Sequence, residues 1–476
     1  MEVRQRKLTS STSHTPKNGP LVDSPARRMA ELAFSEAEYR GRQSEFLGQI
    51  PSDSLVLIPT NPHANRSNDV HYPFRASSYM LYLCGWNEPG AVLMSHYDSG
   101  AWTTSLFVQP RDTKTEIWEG RRVGTEGAAS GWPIDEAHSL EDLEKTVAEH
   151  FEACKQIHLI PGLNPILDEM VNSAVNSKSR DSNTKYIGPT SLSDPSSILD
   201  EMRVRKSDRE IQLMQESADI ASAAHVATMR AAYADIGEWQ VQAVIERHFT
   251  ASKSRWSYPT IVGGGDNATI LHYNANNAVI AGGDLVLVDA GSEVEGYASD
   301  ITRTWPVNGR FSDAQREIYE LVLRAQMAGI EACQAGSPWS AMHHATSNVL
   351  AQGLIDLGIL DYSLEDALGE DFDGPYRNYF MHGTGHLLGL DVHDVGGGRQ
   401  GDDGPGRDLG PGMVLTVEPG LYFGSWRTDV EIPERYSGIG VRIEDDVLIT
   451  EGGPVVLTSD CPKTIDEIEA LIGSDR

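Results

Sequence analysis

Cysteine and long apolar runs are scarce in this sequence. Its 476 residues include four cysteines, Cys84, Cys154, Cys333 and Cys461, and none of them belongs to a C-x-x-C motif. This spacing argues against a zinc knuckle and a disulfide framework, so we expect reduced, mostly buried thiols. No stretch approaches the roughly 18 uninterrupted apolar residues that a membrane span requires. The sequence therefore predicts a globular protein that does not cross a bilayer.

Basic residues are also scarce relative to acidic ones. The chain has 39 Lys and Arg against 69 Asp and Glu, which gives a formal net charge of −30 at pH 7. Such a surface repels DNA, RNA and anionic lipid, so we expect neither nucleic acid nor a membrane as a partner. Most of this acidity is typical of a solvated surface that keeps an abundant intracellular protein in solution. The expected location is the cytoplasm.

The first 34 residues differ in composition from the rest. They are basic and rich in Ser, Thr and Pro, and they lack the apolar core of a secretory signal. We interpret residues 1–34 as a disordered tail. A mitochondrial transit peptide is the alternative interpretation, which Glu2, Pro16, Pro20 and the absence of an amphipathic pattern disfavour.

The remaining chain is long enough for two hydrophobic cores. Residues 35–178 alternate short apolar runs with helical patterns, which predicts a first α/β domain. Residues 179–204 begin with a segment rich in Asp, Ser, Thr and Pro and are expected to be a linker. Ser207 and Glu210 have the spacing of a capping box, and a second domain is expected over residues 205–476. In the first domain the pattern predicts strands at 54–59, 91–94, 104–108 and 157–160, and helices at 140–154 and 165–176.

Two aspartates of the second domain lie close to apolar strands. Residues 285–288 form an apolar run that predicts a buried strand, and Asp289 stands at its end. Asp300 follows eleven residues later. A hairpin centred between Val294 and Glu295 would make Asp289 and Asp300 cross-strand partners, with Cβ atoms roughly 5 Å apart. Two buried carboxylates at that distance repel each other, so they must share a proton or flank cations.

Three further segments supply candidate ligands. The sequences HGTGH at 382–386 and LDVHD at 390–394 together hold three histidines. Glu418 ends the apolar run at 414–417, and Glu444 ends an alternating strand pattern. Each segment alone is weak evidence, because short motifs match by chance. Together they make an oxygen-rich ligand set suited to two hard or borderline divalent ions, and no thiolate lies nearby to form a structural zinc site.

In this order the motifs resemble those of the pita-bread metallopeptidases, over about residues 205 to 460. The matching segments are VDAG at 288–291, SDITRT at 299–304, HGTGH at 382–386, LDVHD at 390–394, VEPG at 417–420 and GVRIED at 440–445. The resemblance implies two pseudo-symmetric α/β halves that enclose a dinuclear site, most often occupied by Mn²⁺. The five ligand positions of the family fall on Asp289, Asp300, His386, Glu418 and Glu444.

The N-terminal part of the sequence indicates which members of this family the chain resembles most. The segments NDVHYPFR at 68–75 and RDTKTEIWEGRRVG at 111–124 resemble the creatinase-like α/β domain of aminopeptidase P. The resemblance implies an Xaa-Pro aminopeptidase, which releases the first residue from peptides with proline at the second position by means of a hydroxide that bridges two divalent ions. It also implies a homodimer or homotetramer. Whether these N-terminal residues contact substrate or stabilise their domain stays open.

The resemblance also implies roles for individual side chains. Glu418, besides binding metal, would accept the proton of the attacking water and pass it to the departing proline nitrogen. His393 would assist the developing oxyanion, and His272 would hydrogen-bond the substrate or intermediate. The positions expected to line the proline side are His382, Tyr422 and Arg442.

Three other kinds of protein share the fold or some of the motifs described above. A prolidase has the same ligands but cleaves dipeptides, and the segment around Trp118 disfavours it. Creatinase-like enzymes keep the fold without the metals, and some pita-bread proteins bind partners without catalysis. The complete ligand set argues against both, because a binding module has no need for so costly a charge cluster.

Overall fold

The computed structural model describes residues 32–177, 188–397 and 406–475. Of the predicted tail, only residues 32–34 are therefore described, and residues 178–187 of the chain also lie outside the description. No helix within the described ranges is long and apolar enough to span a membrane.

A six-stranded sheet forms the centre of the N-terminal domain. From one edge to the other its strands are Glu136–Ser139, Ala101–Val108, Val92–Asp98, Ser54–Pro59, Gln156–Leu159 and Ser191–Ser193. Its middle strand, Ser54–Pro59, is buried along its whole length because it pairs with antiparallel and parallel neighbours and is covered on both faces. The strands of this region are β1 (Ser54–Pro59), β2 (Asn65–Ser67), β3 (Val70–His71), β4 (Val92–Asp98), β5 (Ala101–Val108), β6 (Glu136–Ser139), β7 (Gln156–Leu159) and β8 (Ser191–Ser193). The helices are α1 (Glu36–Leu47), α2 (Ser78–Cys84), α3 (Thr113–Glu119), α4 (Gly124–Gly131), α5 (Leu143–Phe151) and α6 (Pro165–Ser177).

Regular structure continues into the segment predicted to be a linker. Strand β8 pairs in parallel with β7, and helix α7 (Ser196–Val204) follows. The chain then enters the second domain at Ser207, whose side chain accepts a hydrogen bond from Glu210 while the Glu210 side chain reaches back to the Ser207 backbone. The predicted capping box is therefore confirmed.

The second domain consists of two α/β halves. In the first, helices α8 (Asp208–Ala231) and α9 (Glu238–Ala251) accompany strands β9 (Arg255–Trp256), β10 (Ile261–Gly264), β11 (Leu285–Asp289), β12 (Ser292–Val294), β13 (Tyr297–Ala298) and β14 (Thr302–Pro306). In the second, helices α10 (Asp313–Ala332), α11 (Ser340–Asp356), α12 (Leu364–Leu368) and α13 (Ile465–Leu471) accompany strands β15 (Val414–Val417), β16 (Gly420–Phe423), β17 (Ile439–Arg442), β18 (Asp445–Thr450) and β19 (Gly453–Val456). One apolar core joins the halves, since Val286 and Trp305 of the first belong to the same buried cluster as Leu350 and Val441 of the second.

The predicted register of the hairpin between the two aspartates is wrong. Val294 pairs with Tyr297, so the hairpin is centred between Glu295 and Gly296 rather than one position earlier. Glu295 and Gly296 have φ values of 51° and 90°. Positive φ at both turn residues is the geometry that matches the twist of a two-residue hairpin, and glycine adopts it without strain. Asp289 consequently lies opposite Thr302.

Candidate metal centre

The five predicted ligands line one cavity of about 470 Å³. Each is placed where a strand ends or two strands meet. Asp289 is the last residue of β11, Glu418 directly follows β15, and Glu444 lies between β17 and β18. Asp300 lies between β13 and β14, and His386 is held by backbone hydrogen bonding to Thr416 of β15. The apolar strands thus bring polar side chains from both halves to one point.

The tightest group in the cavity is Asp300, His386 and Glu444, whose ligand atoms all lie within 4.8 Å of one another. The Nε2 atom of His386 is 3.5 Å from Asp300 Oδ2 and 3.7 Å from Glu418 Oε1. Asp289 joins this group through Tyr258, whose hydroxyl lies 2.5 Å from Asp289 Oδ1 and 2.5 Å from Asp300 Oδ1. All five candidate ligands are therefore adjacent.

Burial makes the negative charges costly. It raises the pKa of Asp289, and it raises the pKa of Glu418 to about 7. Burial and the charge of Asp300 hold the pKa of Glu444 well above its usual range. Among the described residues that line the cavity, Arg442 is the one with a permanent positive charge, and its Nη2 atom lies 2.6 Å from Asp289 Oδ2. One arginine cannot neutralise four carboxylates.

His386 is oriented as a ligand. Its Nδ1 atom lies 3.0 Å from the Leu387 carbonyl oxygen, so Nδ1–H donates there and Nε2 points into the carboxylates, the arrangement common for metal-bound histidines. Burial lowers the pKa of His386, but the hydrogen bond to Asp300 and the charge of Glu418 outweigh it and raise the pKa to about 9. A metal ion binding at Nε2 displaces this proton.

The donor set fits two divalent cations. Four carboxylates and one imidazole provide mainly oxygen ligands, which suit hard or borderline ions that share bridging carboxylates. The four cysteines are described, free and buried, and none of them lines this cavity. The excess of negative charge and the orientation of His386 Nε2 towards the carboxylates suit divalent-metal binding.

A relay of hydrogen bonds forms the wall beside the cluster. Arg442 Nη1 donates to the Tyr422 hydroxyl at 3.1 Å, and that hydroxyl lies 2.8 Å from His382 Nε2. Burial and the charge of Arg442 lower the pKa of His382 to about 3. The ring is therefore neutral, with Nδ1–H donating to the Gly383 carbonyl oxygen at 2.7 Å. Tyr422 itself is fully buried behind the cavity wall.

Four of the five remaining predicted residues line this cavity, and Tyr422 does not. His272, His382, His393 and Arg442 are among its lining side chains. The His393 ring meets the His386 ring edge-on, with centroids 4.3 Å apart. Burial, followed by the charge of His386, lowers the pKa of His393.

Three supporting side chains escaped the sequence prediction. Tyr258 bridges two carboxylates, Thr302 Oγ1 donates to Glu444 Oε2 at 2.6 Å, and the Asp446 carboxylate accepts the backbone N–H of Asp300. No local pattern identifies Tyr258. Asp446 could have been predicted from the sequence. It lies two residues after Glu444, and this spacing puts both side chains on one face of an extended segment.

Comparison with known proteins agrees with this geometry. The family described as "Metallopeptidase family M24" matches residues 212–451, and "Aminopeptidase P, N-terminal domain" matches residues 39–159. The Xaa-Pro aminopeptidase of Haemophilus influenzae is 40% identical over 93% of this chain and 99% of its own length. That of Escherichia coli is 38% identical over 94% of this chain and 100% of its own length. The structure of aminopeptidase P from E. coli with the inhibitor Pro-Leu has a TM-score of 0.86 at 38% identity and covers 92% of this chain and 98% of that one.

Proposed function

Because the chain belongs to metallopeptidase family M24 and carries an aminopeptidase P N-terminal domain, we propose that it releases the first residue from peptides whose second residue is proline. The single observation that carries the proposal is the convergence of Asp289, Asp300, His386, Glu418 and Glu444 in one buried cavity. The assignment as an Xaa-Pro aminopeptidase rests on relatives that match over nearly the whole chain, N-terminal domain included.

These five residues are our proposed ligands for two divalent ions. The family resemblance implies Mn²⁺, and the mostly carboxylate donors suit it. When bound, such ions lower the pKa of water towards neutrality and polarise the scissile carbonyl. The carboxylates contribute a second function. The family resemblance places the α-ammonium group of the peptide beside these carboxylates, which would account for removal of the first residue alone.

Glu418 is the proposed proton carrier. Its carboxylate lines the cavity, 3.7 Å from His386 Nε2, where it can accept the proton of the attacking water and return it to the proline nitrogen. His393 would donate to the developing oxyanion and His272 to the substrate. The neutral His382, held by Tyr422 and Arg442, would border the proline ring. Since the nitrogen of a peptide-bonded proline carries no hydrogen, the residues of this wall need not supply a hydrogen-bond acceptor for that nitrogen.

The test combines metal analysis with peptide hydrolysis. The purified protein is assayed on Ala-Pro-Ala, Ala-Ala-Ala and the dipeptide Ala-Pro, before and after chelation and after addition of Mn²⁺. We expect release of alanine from Ala-Pro-Ala alone among the tripeptides, loss of activity on chelation and recovery with Mn²⁺. Glu444→Gln should abolish recovery, whereas the exposed Glu451→Gln should recover fully. Activity that survives complete metal removal would contradict the proposal, and cleavage restricted to Ala-Pro would indicate a prolidase.

Three further properties complete the proposal. A homodimer or homotetramer is supported by Ile117 and Trp118, whose side chains are 74% and 88% exposed, since exposed large apolar groups are typical of interfaces. Light scattering of the purified protein tests it. A cytoplasmic location is supported by the free cysteines and is tested by cell fractionation. We also keep 35–178 and 205–476 as the proposed domain limits, to be tested by limited proteolysis.

A further inference from the structure

An arginine of the N-terminal domain, Arg75, lies where that domain meets the catalytic domain. It ends the NDVHYPFR segment, for which the sequence left open whether its residues contact substrate or stabilise their own domain. Its side chain is 29% exposed, and its guanidinium group donates to several acceptors. Two of them, Ala76 O at 3.3 Å and Ser78 Oγ at 3.1 Å, belong to its own domain. The others belong to the catalytic domain.

The first of these acceptors lie on the hairpin that joins the two metal-site aspartates. Arg75 Nε donates to Glu293 Oε2 at 2.9 Å, and Nη2 donates to the Gly296 carbonyl oxygen at 3.4 Å. Glu293 belongs to β12, and Gly296 is in the turn between β12 and β13. The guanidinium group therefore holds the tip of the segment between Asp289 and Asp300.

The second set of acceptors lies on the loop formed by residues 387–394. Arg75 Nη2 also donates to the Leu390 carbonyl oxygen and lies 3.9 Å from Asp391 Oδ1. Ser78, which accepts from Arg75, donates through its Oγ to Asp391 Oδ1 at 2.7 Å. One planar group thus bridges the hairpin and this loop, a geometry that a guanidinium fork can satisfy and a single ammonium cannot.

The loop carries His393 but does not fix the ring by itself. Within the described part of the chain the His393 ring makes no hydrogen bond, and its contact is the edge-on packing against His386. The C-terminal side of the loop is held by Arg203 Nη2, 2.6 Å from Asp394 Oδ1, and by Lys206 Nζ, 3.0 Å from Asp394 Oδ2. On the N-terminal side of His393, Arg75 binds the Leu390 carbonyl, and Arg203 Nη2 also lies 2.6 Å from Asp391 Oδ2. The position of the ring therefore depends on contacts at both ends.

We propose that Arg75 is a positioning residue, through which the N-terminal domain holds the 387–394 loop and so keeps His393 in place over the carboxylate cluster. The inference rests on the role proposed above for His393. It assigns the N-terminal domain a part in the chemical step rather than a purely structural one, although Arg75 itself is outside the metal-site cavity. Loss of this contact should reduce kcat more than it raises KM, because His393 acts on charge that develops in the transition state.

A double-mutant cycle on Ala-Pro-Ala, with saturating Mn²⁺, tests the connection. We expect Arg75→Met to lower kcat by about tenfold to a hundredfold, the range that small misplacements of catalytic groups produce. In a His393→Ala background the same change should cost less than about threefold, because the group it positions is already gone. In a His272→Ala background it should keep its full effect. Arg40→Met is the matched control, since Arg40 is 32% exposed and pairs with Asp135 inside the N-terminal domain.

The outcomes separate this inference from the proposed function. If the wild-type protein fails to cleave Ala-Pro-Ala, the proposed function is wrong. If the wild type is active but Arg75→Met behaves like Arg40→Met, or its effect multiplies fully with His393→Ala, the role of Arg75 is overturned. If Arg75→Met does not fold, the same double-mutant cycle with His393→Ala is measured with Arg75→Lys instead. Full activity of Arg75→Lys would also overturn the inference, because a point charge would then be sufficient.

Discussion

After removal of the metal ions, the part of the unfolding free energy that Glu418 contributes should decrease as the pH rises from 5 to 9. Burial among other carboxylates raises the pKa of Glu418 from its ordinary 4.5 to about 7. A group whose pKa is raised on folding stabilises the folded state below its unfolded pKa, and this contribution is lost as the pH rises through the folded pKa. The rise of this pKa from 4.5 to about 7 corresponds to about 3 kcal/mol of unfolding free energy between full protonation and full ionisation of Glu418.

His386 acts in the same direction at higher pH. Burial lowers its pKa, but Asp300 and Glu418 together raise it from 6.5 to about 9. As a group with a raised pKa, it stabilises the chelated protein fully below pH 6.5 and loses that contribution as the pH approaches 9. Both groups therefore contribute more to the stability of the chelated protein at pH 5 than at pH 9, whereas the lowered pKa of the buried His382 acts in the opposite direction. Metal ions reverse the trend, because they bind the deprotonated ligands.

Urea unfolding at pH 5.5, 7.0 and 8.5, with chelator or with Mn²⁺, measures this effect. Glu418→Gln is the matched control, because it keeps the size of the side chain but removes the titrating carboxyl. With chelator, the unfolding free energy of the wild type should fall relative to that of Glu418→Gln by about 2 kcal/mol between pH 5.5 and pH 8.5, because part of the Glu418 contribution is already lost at pH 5.5. Parallel curves for the two proteins, or a wild type that gains relative stability with pH, would refute the assigned charge cluster.

Other changes test separate parts of the site. Tyr258→Phe removes a hydroxyl shared by two carboxylates and should lower kcat/KM about tenfold to a hundredfold, as expected for a hydrogen bond to a charged group; wild-type kinetics would contradict its supporting role. Asp300→Asn should reduce the bound metal measured by mass spectrometry below two ions per chain, and an unchanged content would remove Asp300 from the ligand set. Gly385→Ala should lower the Tm strongly, because its methyl group would lie 1.9 Å from the Thr416 carbonyl oxygen, whereas Gly383→Ala meets nothing within 4 Å and should unfold like the wild type.

The candidate ligands could be found from sequence because each has a local signal. Asp289 and Glu418 interrupt apolar patterns at strand ends, where a charge needs a partner, and Glu444 follows an alternating strand pattern. The same local patterns predicted β1 and the capping box at Ser207, which the structure confirms. The spacing of apolar residues indicates which positions are buried, and a carboxylate at a buried position needs a metal ion or another partner.

The features that were missed depend on distant contacts or on turn geometry. The hairpin register failed by one position because Glu295 and Gly296, rather than Val294 and Glu295, have the positive φ of the turn. Tyr258 contacts both aspartates from a separate segment, and Arg75 contacts Glu293, on the hairpin between them, from another domain. No periodic pattern encodes such pairings, since they arise when separate elements pack together. Asp446 alone could have been recovered, from its alternation with Glu444.

The split origin of the ligands imposes an order on maturation. Asp289 and Asp300 belong to the first α/β half, whereas Glu444 precedes β18 near the end of the chain. A nascent polypeptide cannot assemble the complete set of proposed ligands until synthesis has passed Glu444, so the site can be completed only after the strands of both α/β halves that carry them have been made. A product truncated before Glu444 would retain the crowded aspartates without one of the proposed ligands, and cation supply could not replace it.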